Sequence, residues 1–464
     1  MKEKRYGLFK GILLFITIAI ILTWLIPNGE FSSAGFASEG ILTRVGLNDL
    51  AWLGYYGIYF SIDKIIFLLA IGGLYGVLVK TNAYDRITSA IANKIKHKKI
   101  AVVIISVLVA VLTSLLTQSF VVLTFIPFII SILKKMKLDK MTILATTFGS
   151  MLVGVMGATY GTEGIGYLSN YITADKFNIL YRLGILVVGL ILFNFFTILH
   201  MNKVKNEEVE EVVETEVKET KKSSIIPVIV ISLLLFIIII LGYVNWNSNF
   251  GITIFEDFHK LLTEIKIGDD FYIFQSLLGS NMSALGTWDL FSISGIVLIL
   301  TIILGLCYRV RLDEFMSNYA QGMKRMIKPI LCVVAAFSLM TVVYMSPYIA
   351  TIVDKILSIT DGFNLATMTL SSLILNIFHT DLGFTGYIVG SHYVVEYADY
   401  INPIYVMLTS LYGFVQFFVP TSILLGVGLT SLNVKYTDWL KYIWKFLIGM
   451  IIVLLVIFIL MAVI

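Results

Sequence analysis

Residues 101–133 are thirty-three consecutive positions without a charge, with Lys98 and Lys99 before them and Lys134 and Lys135 after. Loops rich in Lys and Arg stay on the cytoplasmic side of a bilayer, so both ends of this stretch belong on one side. One straight helix would put the ends on opposite sides, and two complete crossings need about 40 residues plus a turn. The length fits a re-entrant helical hairpin whose polar tip holds Thr113, Ser114, Thr117, Gln118 and Ser119. A single long tilted helix is the alternative. Irregular backbone at membrane depth is tolerated only inside protein or beside a water-filled cavity, so such a tip would mark an internal site.

The rest of the chain agrees with a membrane setting. Of 464 residues 58% are hydrophobic and 14% charged, against roughly 25% charged in a soluble domain. Mean hydropathy is +0.91. A water-soluble enzyme of this length could not hide so much apolar surface. Apolar runs place spans at 8–26, 65–81, 141–160, 177–199, 225–243, 288–307, 365–378, 402–425 and 440–464, and a second candidate hairpin lies at 329–353. The N-terminal Lys2, Lys4, Arg5 and the following run resemble a signal peptide. That run is too long, and no small-residue cleavage site follows Pro27-Asn28-Gly29, so an uncleaved first span is expected. Cys307 and Cys332 sit in apolar sequence and are expected as core residues, with a disulfide as the alternative. The net charge of +4 orients the protein and does not suggest nucleic acid.

Twelve charges crowd into 203–222. This segment cannot enter a bilayer and divides the chain into a first repeat (1–202), a charged cytoplasmic linker (203–223) and a second repeat (224–464). Residues 94–114 align without gaps on 324–344, matching Lys94 with Lys324, Lys98 with Lys328 and Ile100 with Ile330. Further on, Gly164-Ile165-Gly166 and Ser169 echo Gly426-Val427-Gly428 and Ser431, and Asp175, Tyr181 and Arg182 echo Asp438, Trp444 and Lys445. An internal repeat interrupted by Gly and Pro points to a secondary transporter with its site between the repeats. Two features resist this register. The basic residues between Arg309 and Lys328 ask for the cytoplasm where an inverted repeat would place the outside. The second half also holds more residues between its matching blocks.

No phosphate-binding Gly-Lys-Ser/Thr loop and no His-Glu-x-x-His metal motif occurs, so neither an ATP motor nor an intramembrane hydrolase is expected. Polar residues in apolar surroundings carry the remaining signal, because they tend to line pathways. Thr159, Tyr160, Thr162 and Glu163 sit where glycines interrupt an apolar run; Glu163 could equally open an external loop. His379 and Asp381 end the run 365–378 and suit a proton relay or a cation site, or an ordinary loop. Gln118 could hydrogen-bond a substrate or a neighbouring helix, and Ser346-Pro347 is the matching candidate at the second tip. Pro420, Thr421 and Ser422 break another apolar run, as a binding site or a plain kink. Asp63 and Lys64 read as a structural pair at a span entrance.

Val419-Pro420-Thr421-Ser422, Gly428-Leu429, Val434-Lys435-Tyr436 and Trp439-Leu440-Lys441 resemble the C-terminal signature of YfcC-like transporters, in the C4-dicarboxylate anaerobic carrier family of the ion-transporter superfamily. Trp24 to Phe31 is similar to that family's first-span ending, and Gly72-Gly73 with Lys80-Thr81 to its second span. The resemblance implies a pseudosymmetric homodimer with two re-entrant hairpins, two broken helices and elevator-like alternation, with Pro420, Thr421 and Ser422 near substrate or a coupling ion. The chain departs from the family's pattern at Ile423, where Gly is usual, around Tyr160-Gly161, where Asn-Pro is usual, and at Gln118, where an acid is usual.

The sequence therefore predicts an all-α polytopic membrane protein of about 9–12 spans, in the cytoplasmic membrane of a bacterium. It would exchange a small charged organic solute or move it with an ion, and would need no cofactor beyond a coupling Na+ or H+. No arginine is read as lying deep in a span to hold a second carboxylate, which leans the substrate toward an amino acid such as arginine or ornithine. A C4-dicarboxylate is the alternative, and Na+/H+ antiport the next.

Overall fold

The computed structural model describes residues 7–38, 40–161, 168–173, 178–204, 223–268, 271–279, 283–379 and 381–463. Thr162 and Glu163 lie outside them. Seven described helices are long and apolar enough to cross a membrane. They are α1 (Gly7–Leu25), α5 (Lys98–Leu115), α8 (Asn178–Lys203), α9 (Ile226–Tyr243), α10 (Leu290–Cys307), α12 (Ile327–Met345) and α18 (Tyr436–Val463). The pair α2 (Asp49–Tyr59) and α3 (Ile62–Leu78), bent by 58°, is long and apolar enough only when its two helices are taken together. Two cysteines are free, Cys332 buried and Cys307 exposed.

The 101–133 stretch folds as a helix–turn–helix and not as one long helix. Helix α5 stops at Leu115, a 3-10 turn covers Ser119–Thr124, and α6 (Ile126–Lys135) follows. Pro127 starts α6 well because its missing N–H would be unpaired there. Both arms end on the same side. The Lys135 ammonium reaches the Asp85 carboxylate of the amphipathic α4 (Asn82–Lys94). Lys98 and Lys99 share a small cavity with Lys137 and with Met201 at the end of α8. Arg86 donates to the Ser223 carbonyl at 3.0 Å, and the Tyr308 hydroxyl to that of Ser224 at 2.7 Å. The basic segments 86–99, 134–140 and 309–328, the last carrying α11 (Leu312–Arg325), therefore share one end of the bundle.

At that end Asp139 caps α7 (Lys140–Met156) by accepting from Thr142 N–H at 3.0 Å, and its carboxylate lies 3.2 Å from His200 Nε2. Burial opposes ionisation of Asp139, but the bonds from His200 and Thr142 outweigh it and hold its pKa below the ordinary value. A carboxylate with a depressed folded pKa adds stability above its unfolded pKa, and that stability is lost as pH falls through the folded value. Asp139→Asn should thus lower the melting temperature of detergent-solubilised protein at pH 6. The gap to wild type should start to narrow below about pH 4 and go on narrowing as pH falls through the lower folded value; a gap that stays constant down to the lowest pH at which the protein remains folded would show the ion pair is not its source.

The second hairpin expected at 329–353 does not exist. Helix α12 crosses the bundle completely, from the basic end at Lys328 to Ser346 beside the far end of α1. There the Ser346 hydroxyl donates to Asn28 Oδ1 (3.1 Å), Gly29 N–H to the Pro347 carbonyl (3.3 Å) and the Thr351 hydroxyl to the Pro27 carbonyl (2.7 Å). Ser346 is a joint between helix ends and not a hairpin tip. A β-hairpin of β1 (Gly29–Ser32) and β2 (Gly35–Ser38) and the amphipathic α13 (Tyr348–Leu357) cover this far end.

The hairpin lies further on. Asn364 caps α14 (Leu365–Phe378), which runs inward to His379, and α15 (Leu382–Glu396) returns. Phe363, before the first arm, stacks on Tyr400, after the second, with ring centroids 4.2 Å apart. Both arms thus start at the end opposite to the first hairpin. The register of the repeat shifts accordingly. Leu115 and Phe378, the last residues of the two inward arms, stand 263 apart, the spacing that also separates Arg182 from Lys445. The alignment of 94–114 on 324–344 is superseded. The crossing by α12 carries the chain from the basic segment 309–328 to the opposite end, where the second hairpin starts.

Candidate functional site

Two interrupted helices cross at the centre. Helix α7 ends at Met156 and the chain is irregular through Gly157–Gly161; α16 (Ile401–Val415) ends before Gln416–Ser422, and α17 (Ile423–Leu432) resumes. Met156 and Gly413 meet backbone to backbone, since a Cβ on Gly413 would lie 2.2 Å from Met156 Cα. Small residues permit this approach between spans.

The first tip closes over the first break. The Ser114 hydroxyl donates to the Gly157 carbonyl (2.9 Å) and accepts from Thr159 N–H (2.9 Å). Its carbonyl accepts from the Thr159 hydroxyl and from Gly161 N–H, each at 3.2 Å. Amides and carbonyls freed by the break are therefore held by the hairpin, as buried backbone groups require. Thr117 donates through its N–H (2.9 Å) and hydroxyl (3.1 Å) to Tyr243 O, fastening the tip to the end of α9. Gln118 is half-buried with a shielded Oε1 that has no partner, and Ser119 is buried. Tyr160 is exposed and packs on Phe250 at 4.9 Å.

The second tip is ionic where the first is neutral, for Asp381 stands 263 residues after Gln118. Asp381 caps α15 by accepting from Gly383 N–H at 2.6 Å. Lys64 and Asp63, at the start of α3 just past the 58° bend, lie within electrostatic reach of it. Lys64 is 3.2 Å from the Asp63 carboxylate and 5.2 Å above the Phe337 ring. His379 is 1% exposed; its Nδ1 is 2.9 Å from the Thr385 hydroxyl, and its Nε2 has no partner. Asn376 ties this hairpin to α16 through the Leu408 carbonyl (3.4 Å). Among the described residues no hydrogen bond joins His379 or Asp381 to Pro420, Thr421 or Ser422. Thr421 and Ser422 are buried, and the Ser422 hydroxyl has no partner. The second break is braced instead by Trp439, which donates to the Phe417 carbonyl at 2.7 Å, and by the Tyr436 hydroxyl on Phe418 O.

The sequence places no arginine deep in a span, and Arg182 lies near the start of one, yet packing buries it. Arg182, in the first turns of α8, is 7% exposed and donates through Nη1 to the Ala158 carbonyl at 3.0 Å, inside the first break. It is the one arginine in the apolar run 177–199. That signal was legible, but its partner at the break was not.

A family model described as "C4-dicarboxylate anaerobic carrier" (DcuC) matches residues 7–392. Among solved structures the chain is similar to the YdaH transporter of Alcanivorax borkumensis, with 13% identity, 98% of each chain covered and a TM-score of 0.38. No curated protein matches. With its match spanning most of the sequence, this polytopic helical chain belongs to the C4-dicarboxylate anaerobic carrier family.

Proposed function

We propose that the chain is a secondary active carrier of a C4-dicarboxylate-class organic anion. The observation that carries the reading is the clasp of Ser114 over the break at Gly157–Gly161. It sits where two interrupted helices cross, the arrangement that secondary transporters use to expose backbone groups to substrate and ion. The family's description supports the substrate class, and the buried Arg182 offers a cation to a carboxylate. The two hairpins are re-entrant, and residues 1–202 and 224–464 are inverted halves joined by 203–223. The chain sits in a bacterial cytoplasmic membrane with its basic end inward. The coupling cation, H+ or Na+, is taken at the second tip, where Asp63 and Asp381 outnumber Lys64 and His379 stands by. That acidic excess also favours a second reading, exchange of a cationic amino acid such as arginine or ornithine.

Counterflow in proteoliposomes distinguishes these. Vesicles are loaded in turn with succinate, arginine, ornithine, a neutral amino acid or buffer, and entry of labelled solute is followed. Stimulation by internal succinate alone is the expected result. Stimulation by arginine or ornithine alone would replace it with the second reading. Silence, with cation-dependent proton movement in vesicles lacking solute, would indicate Na+/H+ antiport.

A further inference from the structure

We propose that Arg182 is the residue that binds a substrate carboxylate, an inference that rests on the organic-anion reading above. Its guanidinium is 7% exposed and lies 5.5 Å above the Tyr405 ring, whose hydroxyl is 3.0 Å from the Ser169 hydroxyl. Of its five N–H donors, one from Nη1 serves the Ala158 carbonyl, while Nε is buried without a partner. Among the described residues no carboxylate forms an ion pair with it. A buried cation without a counter-charge is costly, and removing water from it is repaid only by an opposite charge with good geometry.

The plain alternative is that Arg182 caps the C-terminal end of α7. A helix end carries only about half an elementary charge, and the Tyr405 face offers only a ring quadrupole. Neither uses the planar fork of donors that distinguishes Arg from Lys, and that fork matches a carboxylate. The other repeat sharpens the contrast. Lys445, 263 residues further on, is exposed on the bundle surface over Trp444 (5.4 Å) and needs no partner. Only in the first half is this cation folded against a break. The carboxylate would therefore sit beside Ala158, within reach of the Ser169 and Tyr405 hydroxyls.

The test is Arg182→Gln and Arg182→Lys in the full-length carrier, reconstituted for counterflow. Gln keeps a donor for Ala158 and loses the charge and the fork. The KM for succinate should rise about 30-fold or more in R182Q, the scale expected when one partner of a buried charge pair is removed, with partial recovery in R182K. Wild type should prefer succinate over its half-amide, and R182Q should not. Wild-type KM and preference in R182Q at an unchanged melting temperature would leave a helix cap and overturn the proposal. Should R182Q not fold, R182K at wild-type melting temperature carries the same test through its KM. Should wild type exchange no dicarboxylate, the substrate class fails separately. Arg182 is then judged by thermal stabilisation with acetate, succinate and citrate, where protection of wild type but not of R182Q or R182K upholds an anion site and equal protection removes it.

Discussion

Gly413→Val is expected to abolish transport and to lower the melting temperature more than any other single substitution proposed for this protein. A Cβ there would lie 2.2 Å from Met156 Cα, 2.3 Å from its nitrogen and 2.7 Å from its Cβ. Two of the three are backbone atoms of α7, and no rotamer change can move them. Overpacking a dense interior commonly costs about 1–3 kcal/mol, and a clash with backbone at the crossing belongs at the upper end. The function should suffer more than the stability, because separating α7 from α16 moves Gly157–Gly161 away from Ser114. Gly449→Val is the control: its Cβ would meet nothing within 4 Å, so it should melt and transport as wild type does. A melting temperature for Gly413→Val within about 2 °C of wild type, roughly 1 kcal/mol or less for a chain this long, would mean the crossing is looser than described.

Asp381→Asn should separate coupling from binding. Asn caps a helix about as well as Asp, so the bond from Gly383 N–H (2.6 Å) and the start of α15 are retained. What disappears is the negative charge facing Lys64, with Asp63 and His379 as its other titratable neighbours. Counterflow, which needs no driving ion, should persist within a few-fold of wild type. Accumulation of succinate against its gradient should fall at least about 100-fold, the scale set by removing a charged group from a buried site. Asp381→Glu should restore part of it. Accumulation at wild-type level in Asp381→Asn would place the coupling cation elsewhere, with Ser422 and the second break next in line.

Much of the molecule was legible in one dimension because a bilayer enforces simple rules. A long uncharged stretch between two lysine clusters has to turn back, and 101–133 does so at Leu115. The break at Gly157–Gly161 and the one ending at Pro420–Ser422 were visible as glycine, proline and hydroxyl residues inside apolar runs, since these remove or replace helical hydrogen bonds.

Other features depended on which residues meet in space. Residues 329–353 and 365–396 are both apolar segments interrupted by polar residues. Only the contact of Ser346 with Asn28, and the stacking of Phe363 on Tyr400, decide that the first is a crossing and the second a hairpin. Hydropathy cannot separate them, because a helix that ends at the far face and one that stops midway show the same composition over their first fourteen residues. Lys64 and Arg182 posed the same problem. In sequence they are cations near span ends, where long side chains usually reach water. Packing alone turns one toward the tip at Asp381 and the other into the break at Ala158, because whether a side chain near a helix end is solvated depends on what the next helix covers. Hydrophobicity and charge fixed which segments are apolar and that 101–133 turns back. The burial of particular polar groups, on which a carrier's selectivity rests, was decided by tertiary packing, which brings together residues far apart in the chain.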